Sequence, residues 1–457
     1  MPAAQNSAKV SRNTVHDQVP VKNELLERLA DARRQSDELF SLVRVDALYD
    51  RPIPERHRII FYLGHLEAFD WNLLHGRTLG LNEFRPDFDR LFAFGIDPVE
   101  GGLPADLPSD WPSPDVVHEY GAYLREALDE KLAIAILDPS APVYEHFSLR
   151  TLLNVAIEHR LMHVETLSYM LHQLPLDRKV QRSSRPNLVI PGAVHKMIEV
   201  PEGPVTLGLS RDDETFGWDN EYQAHTANVP AFRVDNYKVT NRQFAEFIAD
   251  GAYDRRALWS DEDWAWKQAE RIAHPVFWRR DGDRWLLRTM FAEIPLPLDW
   301  PVYVSHAEAS AYARWAGKML PTEAQWQRAA QGIDVSISGE RGGNFSGREG
   351  SHSAHGSLRW DPAPVNASPE SVSAFGVHDL YGNGWEWTST LFAPFQGFEP
   401  FPFYRGYSAD FFDSKHFVMK GGSPVTADCM LRPSFRNWFQ PHYQYVYTGF
   451  RCVAGEF

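Results

Sequence analysis

The chain is poor in cysteine, has no long apolar run and carries no excess of basic residues. Two cysteines among 457 residues exclude a disulfide scaffold and a zinc site made of thiolates alone, and they favour a reducing, cytoplasmic compartment. No apolar run reaches the roughly 18–20 residues of a membrane-spanning helix, so we expect no membrane partner. The 46 Lys and Arg against 61 Asp and Glu give a net charge of −15 without a basic stripe, which argues against a nucleic-acid partner.

Aromatic residues are abundant and unevenly distributed. The chain has 15 Trp, 17 Tyr and 28 Phe, and 13 of the tryptophans lie between Trp218 and Trp438. Glycine follows the same division, with 23 of 30 after residue 180. Large rings combined with many glycines predict a second half of tight turns and irregular loops, with either a loop-rich core or an aromatic-lined cavity.

The first half has the apolar spacing of helices. Apolar residues at i, i+3 and i+4 recur over 21–46, 57–79, 114–135 and 148–173. Four amphipathic helices with two long connections are typical of an up-down bundle.

These patterns divide the chain into four segments. Residues 1–19 have no apolar signal core and are expected to form a flexible, unprocessed leader, and residues 20–180 are expected to form the helical bundle. A polar linker that contains prolines, over 181–196, leads to a second domain at 197–457.

Three histidines of the predicted bundle are candidate metal ligands. His159 and His163 lie four residues apart on one predicted helix, so both imidazoles project from the same face and can bind one metal ion. His65, among apolar residues of the second predicted helix, is the best third ligand, and Glu165 is expected to orient a ligand from outside the coordination sphere. Buried histidines that simply hydrogen bond in a core give the same pattern, and the ligand type does not separate zinc from iron.

Several segments of the second half resemble one family. They are VTNRQFAEFI from Val239, PVYVSHAEASAYARWAGKMLPTEAQWQRAA from Pro301, GVHDLYGNGWEWTST from Gly376, VMKGGS from Val418 and GFRC from Gly449. From Met197 onward the chain resembles the formylglycine-generating-enzyme/sulfatase-modifying-factor domain, which has a C-type-lectin-like fold. The copper chemistry of that family's namesakes depends on a reactive cysteine pair. Cys429 and Cys452 show no pairing logic, so we expect both to be structural.

A DinB-like helical bundle followed by this domain resembles the non-haem iron sulfoxide synthases of ergothioneine biosynthesis. The resemblance implies an α+β chain, a DinB-like four-helix bundle before the C-type-lectin-like domain, and an oxidoreductase. Those enzymes join a thiol to the imidazole of hercynine with dioxygen. Their Fe(II) motifs, Gly-His on one helix and His-x3-His-x-Glu on another, match Gly64-His65 and His159-x3-His163-x-Glu165.

The same resemblance implies roles for residues near the C-terminus. In the segment FYRGYSADFF, Tyr404 corresponds to the proton donor and Tyr407 to a cation–π wall for the trimethylammonium group of hercynine. Asn437 and Trp438 are implied to hold the carboxylate and ammonium end of hercynine.

Three departures from the family pattern concern substrate contacts. Phe439 stands where the family has an Asp that meets the amino group of the thiol donor, and Met162 stands where it has a Gln. The donor-clamping arginines after the second helix are replaced by residues 91–108, and no arginine occurs between Arg90 and Arg125. A neutral, hydroxyl-rich donor fits such a site, so the resemblance points to the selenoneine synthase branch, which couples hercynine to a selenosugar through a selenoxide.

Three alternatives stay open. The first is a sulfoxide synthase with a thiol donor, and the second is a DinB-type metal-dependent thiol transferase with zinc on the same histidines. The third is a non-catalytic lectin-like binding module, in which Trp385 and Trp387 are core residues, which is also how we interpret them in an enzyme.

Overall fold

The computed structural model describes residues 13–93, 105–135, 142–182, 190, 192–332 and 360–454, with the side chains of 13–21 excepted. Parts of three predicted segments lie outside the described residues: the leader, the linker and the segment 91–108. The chain divides into two compact units. The first comprises Met1–Leu167 with Asp177–Val180, and the second comprises Ser168–Leu176 with Gln181–Phe457.

The first unit is helical, as predicted. Its helices are α1 (Asn13–Phe40), α2 (Ile59–Leu74), α3 (Pro86–Leu91), α4 (Pro114–Ile134) and α5 (Leu149–Gln173), whose last turns belong to the second unit. A short antiparallel pair, β1 (Pro142–Tyr144) and β2 (Phe147–Ser148), precedes α5. Helix α1 begins inside the segment that the sequence predicts as a leader. The assignment of this unit to the DinB-like fold stays a prediction.

Buried charges join the helices of the first unit. Arg160 on α5 is fully buried, and its guanidinium donates to Glu67 Oε1 at 2.9 Å and to Asp70 Oδ2 at 2.7 Å, both on α2. Arg125 on α4 donates to the same Glu67 oxygen at 2.7 Å. Burial opposes ionisation of Glu67, but the charges of Arg160 and Arg125 outweigh it and lower the pKa of Glu67 to about 2. This network fixes the register of α5 against α2.

Replacement of Arg160 by methionine is expected to lower the free energy of unfolding by about 3–5 kcal/mol, because Asp70 loses the guanidinium that donates to it, while Glu67 keeps Arg125. Chemical denaturation measures the change. Arg34→Met on α1 is the matched control, since the ion pair of Arg34 with Asp31 is exposed and its loss should change stability little. An equal effect of the two substitutions would contradict the role given to the buried network.

The second unit combines short helices with small sheets, which confirms the predicted mixture of helix and strand. Its helices are α6 (Asn241–Ala249), α7 (Asp261–Ala269), α8 (His306–Trp315) and α9 (Glu323–Ala329). Its first strands are β3 (Met197–Val200), β4 (Gly203–Leu207), β5 (His225–Val229), β6 (Phe232–Asp235), β7 (Trp278–Asp281), β8 (Arg284–Arg288) and β9 (Glu293–Pro295). They are followed by β10 (Trp385–Leu391), β11 (Phe417–Lys420), β12 (Asn437–Phe439), β13 (Thr448–Gly449) and β14 (Val453–Ala454).

The strand order brings distant parts of the second unit together. Hydrogen-bonded neighbours run β12-β11-β10-β13 in one sheet, β14-β6-β3 in a second, β4-β5 in a third and β7-β8-β9 in a fourth. The hydrophobic core of this unit contains Trp326, whose indole donates to Glu386 Oε2 at 3.0 Å. Trp385 and Trp387 are also buried.

Three helices of this unit have a clear start signal in the sequence. Helices α6, α8 and α9 each begin with a capping box, in which a hydroxyl and a side chain three residues later satisfy each other's backbone N–H groups. The pairs are Thr240 with Gln243, Ser305 with Glu308 and Thr322 with Gln325.

Among the helices of the described residues, none is long and apolar enough to cross a membrane. The cytoplasmic location that the cysteine count favours stays a prediction.

Candidate functional site

Three buried histidines of the first unit form a cluster. His65 lies on α2, and His159 and His163 lie one turn apart on α5. One ring nitrogen of each lies within 4.8 Å of those of the others, and the Nε2 atoms of His159 and His163 are 3.2 Å apart. Glu165, which the sequence suggested as an orienting residue, is half-buried and is not part of the cluster.

The three imidazoles are held neutral. Burial lowers the pKa of His65 to about 4, and burial together with the neighbouring histidines and Arg160 lowers the pKa values of His159 and His163 well below the ordinary range. Neutral imidazole is the form that binds a metal ion. Within the described residues, Nε2 of His65 is buried without a hydrogen-bond partner, so a cation at the cluster would satisfy it.

A backbone carbonyl orients His65. Its Nδ1 lies 2.6 Å from the carbonyl oxygen of Phe92, so Nδ1–H donates there and the lone pair of Nε2 faces away. Gly64 permits this contact, since a Cβ at that position would lie 2.4 Å from the ring of Phe92. The sequence singled out Gly64 with His65 but not Phe92, because 27 residues separate the carbonyl from the ring that it orients.

Two phenylalanines wall the cluster. Phe69 stacks on His159 with ring centroids 3.4 Å apart, and Phe61 stacks on His65 at 4.8 Å. Both lie four residues from His65 on α2, so the helical period could have identified them. Met162, on α5 beside His163, is half-buried.

One arginine that was not predicted from the sequence acts on the cluster through its charge. Arg56 precedes α2 and is 5% exposed. Burial and the charge of His65 are the two largest causes that lower the pKa of His163, and the charge of Arg56 is the next. The RHR run at 56–58 is the signal that could have indicated it.

Other arginines of the first unit are engaged by carboxylates. Arg51 and Arg58 both donate to Asp106, at the described end of the segment 91–108, whose residues 94–104 lie outside the described part of the chain. Arg125, the first arginine after Arg90, pairs with Asp37 and Glu67.

The second unit brings Tyr404, Tyr407 and Trp438 together. Tyr407 stacks on Trp218 with ring centroids 4.0 Å apart and meets Trp438 edge-on at 5.4 Å. Tyr404 lies 5.6 Å from Tyr407. We call these four residues the tyrosine cluster. Trp218 was not predicted as a member, since no motif surrounds it and its partners are nearly two hundred residues away.

Asn437 and Phe439 lie apart from the tyrosine cluster. Side chains alternate along β12, which pairs with β11 so that Trp438 lies opposite Val418. Phe439 stacks on Tyr443 at 4.9 Å, and Asn437 turns its Oδ1 to the backbone N–H of Trp438 at 2.9 Å. The side chains of Asn437 and Phe439 therefore project from the opposite face of β12 to the ring of Trp438, although the sequence groups all three residues as substrate contacts.

Cys452 is fully buried, and burial, with the charge of Asp235, raises the pKa of its thiol well above the ordinary range. The thiol form is a poor copper ligand. Cys429 is half-buried.

The chain is similar in sequence to one protein family and to several known enzymes. Residues 187–455 match the family described as Sulfatase-modifying factor enzyme 1-like domain. The hercynine oxygenase of Mycolicibacterium smegmatis is 33% identical, covering 97% of this chain and 99% of its own. Ergothioneine biosynthesis protein 1 of Neurospora crassa is 26% identical over 89% of this chain and 55% of its own, and the formylglycine-generating enzyme of Mycobacterium tuberculosis is 30% identical over 57% and 97%.

Proposed function

The chain belongs to the hercynine oxygenase family and is an oxidoreductase with a sulfatase-modifying factor enzyme 1-like domain, and we propose that it is a non-haem Fe(II) enzyme that joins hercynine to a chalcogen donor with dioxygen. Family membership confirms the prediction of an enzyme and excludes the alternative of a non-catalytic binding protein. The observation that carries the proposal is the cluster of His65, His159 and His163.

The donor set fits the metal. Three neutral imidazoles hold a divalent first-row ion and leave coordination positions for substrates, which suits a redox metal. When bound, iron supplies electrons to dioxygen and aligns the reactants. Phe61 and Phe69 limit the access of water to this cluster.

The net reaction balances without a further reductant. The C2–H of the hercynine imidazole and the Se–H or S–H of the donor each lose a proton, and a C–Se or C–S bond forms. One oxygen atom becomes the selenoxide or sulfoxide oxygen, and the other leaves as water. Formation of the C–Se or C–S bond releases two electrons, and oxidation of the chalcogen releases two more. These four electrons reduce dioxygen.

Residues of the second unit are proposed as substrate contacts. Tyr404 would donate a proton from its phenol, and Tyr407 and Trp438 would face the trimethylammonium group, for which the tyrosine cluster offers several ring faces. Asn437 remains a proposed contact of the hercynine carboxylate.

We propose a selenosugar as the donor. Phe439 and Met162 replace polar family residues, and the engagement of Arg51, Arg58 and Arg125 by carboxylates leaves those guanidiniums unsuited to clamp an anionic donor. A neutral, hydroxyl-rich donor matches this arrangement.

A thiol donor is the second candidate. The charge of Arg56, which acts on His163, favours an anionic donor at the cluster, and the relative from Neurospora crassa is named for ergothioneine biosynthesis.

A direct assay separates these candidates. The anaerobically iron-loaded protein receives hercynine, dioxygen and either a selenosugar or γ-glutamylcysteine, and products are identified by mass. We expect coupling to the selenosugar at a higher kcat/KM than to the thiol. Coupling to γ-glutamylcysteine alone would contradict the donor argument, and stoichiometric zinc with turnover that needs no oxygen would contradict the iron chemistry.

A further inference from the structure

One carboxylate ties both ends of the loop that carries the two tyrosines. We call residues 401–408 the tyrosine loop. Asp219 Oδ1 accepts a hydrogen bond from Ser408 Oγ at 2.6 Å, and its Oδ2 accepts one from the backbone N–H of Phe401 at 3.4 Å. The neighbouring Trp218 is fully buried and stacks on Tyr407.

This attachment is itself held by an ion pair. The backbone N–H of Trp218 donates to Glu221 Oε1 at 2.9 Å, and Glu221 pairs with Arg432. Ser434 also donates to Glu221, at 2.7 Å. Arg432 and Ser434 lie just before β12, the strand of Trp438. The segment 218–221 thus contacts both chain segments that supply the tyrosine cluster.

We propose that Trp218 and Asp219 are positioning residues that hold the tyrosine loop, and with it Tyr404 and Tyr407, in the arrangement that the substrate requires. The inference rests on the proposed function, because that function gives the two tyrosines their substrate contacts. Neither Trp218 nor Asp219 needs to touch the substrate for this role.

The cost of burying Asp219 supports a role beyond stability. Its side chain is 1% exposed, and burial, reinforced by the charge of Glu221, raises its pKa to about 6 despite the hydrogen bonds of Ser408 and Phe401. The folded chain therefore holds this proton more tightly than the unfolded chain does. The free energy of unfolding consequently falls as pH rises from about 4 to about 6 and stays lower above that range. Above about pH 6, a neutral side chain at this position would give a more stable protein than the carboxylate does. The carboxylate, however, accepts both hydrogen bonds of the loop.

Asp219→Asn is the decisive variant, because it keeps the size of the side chain and removes the charge. We expect kcat/KM for hercynine to fall by about 10- to 100-fold, while the melting temperature at pH 8 does not fall. Because the ionised carboxylate accepts both hydrogen bonds of the loop, we expect kcat/KM of the parent enzyme to rise as the pH increases through about 6. Asp219→Asn should lack this rise. Asp213→Asn, at an exposed position nearby, is the control that should change neither quantity.

Hydrogen exchange of residues 401–408, followed by mass spectrometry, tests the attachment without turnover. Faster exchange there in Asp219→Asn and in Trp218→Leu, with partial recovery in Trp218→Phe, supports the proposal. Unchanged exchange, or a fall in kcat/KM that only parallels a loss of melting temperature, overturns it. Faster exchange in a protein whose parent couples no donor would overturn the proposed function while leaving the attachment established.

Discussion

His163→Ala is expected to abolish hercynine coupling and to lower iron affinity by more than the 10- to 100-fold typical of residues that only orient a ligand. The reason is the cluster geometry: the Nε2 atoms of His159 and His163 face each other at 3.2 Å, so one removed ring leaves two nitrogens for the ion. Anaerobic metal analysis gives the iron content, and mass spectrometry of the products gives the activity.

The controls for His163→Ala address folding and specificity. His163 is 1% exposed, so His163→Gln, which fills more of the vacated space, and thermal unfolding of both variants distinguish a lost ligand from a lost core. His118→Ala removes an exposed histidine of α4 and should leave iron content and turnover unchanged. A folded His163→Ala protein that retains one iron and full coupling would refute the ligand assignment.

Features that depend on neighbours in sequence were predictable. Helices α1, α2, α4 and α5 follow from apolar spacing, whereas the six-residue α3 was not predicted. The shared face of His159 and His163 follows from their four-residue separation. The sequence named His65 as the third ligand, but only the fold brings it to the other two histidines. That meeting depends on the register of α2 against α5, which Arg160 fixes through contacts with residues 90 and 93 positions away.

Features that depend on distant contacts were missed. The carbonyl of Phe92 has no sequence signature, because any residue could supply it. Trp218 is one of many tryptophans, and only the fold places it on Tyr407. The separation of Phe439 from Trp438 follows from β12, a three-residue strand too short for its alternation to be visible in the sequence.

The strand order within the sheets of the second unit could not be predicted from the sequence either. Strand β6 pairs with β3 and, across more than two hundred residues, with β14 near the C-terminus. Neither end of such a pair carries information about the other. The capping boxes of α6, α8 and α9, by contrast, are visible because each spans four residues.

The phenol of Tyr404 is the group proposed to deliver a proton during coupling. The tyrosine cluster supports separate roles for its two tyrosines. Tyr407 stacks on Trp218 and meets Trp438 edge-on, whereas the ring of Tyr404 is tilted against Tyr407 with centroids 5.6 Å apart. A ring enclosed by other rings contributes to cation binding through its face, whereas a proton donor acts through its hydroxyl.

Tyr404→Phe is therefore expected to lower kcat by about 10²- to 10⁴-fold with little change in KM for hercynine, because the ring remains and only the proton is lost. Steady-state kinetics with the preferred donor measures both constants. Tyr407→Phe, which keeps the stacked ring, should retain most of kcat, whereas Tyr407→Leu should raise KM through the lost cation–π contact. An unchanged kcat in Tyr404→Phe would show that the proton comes from another group.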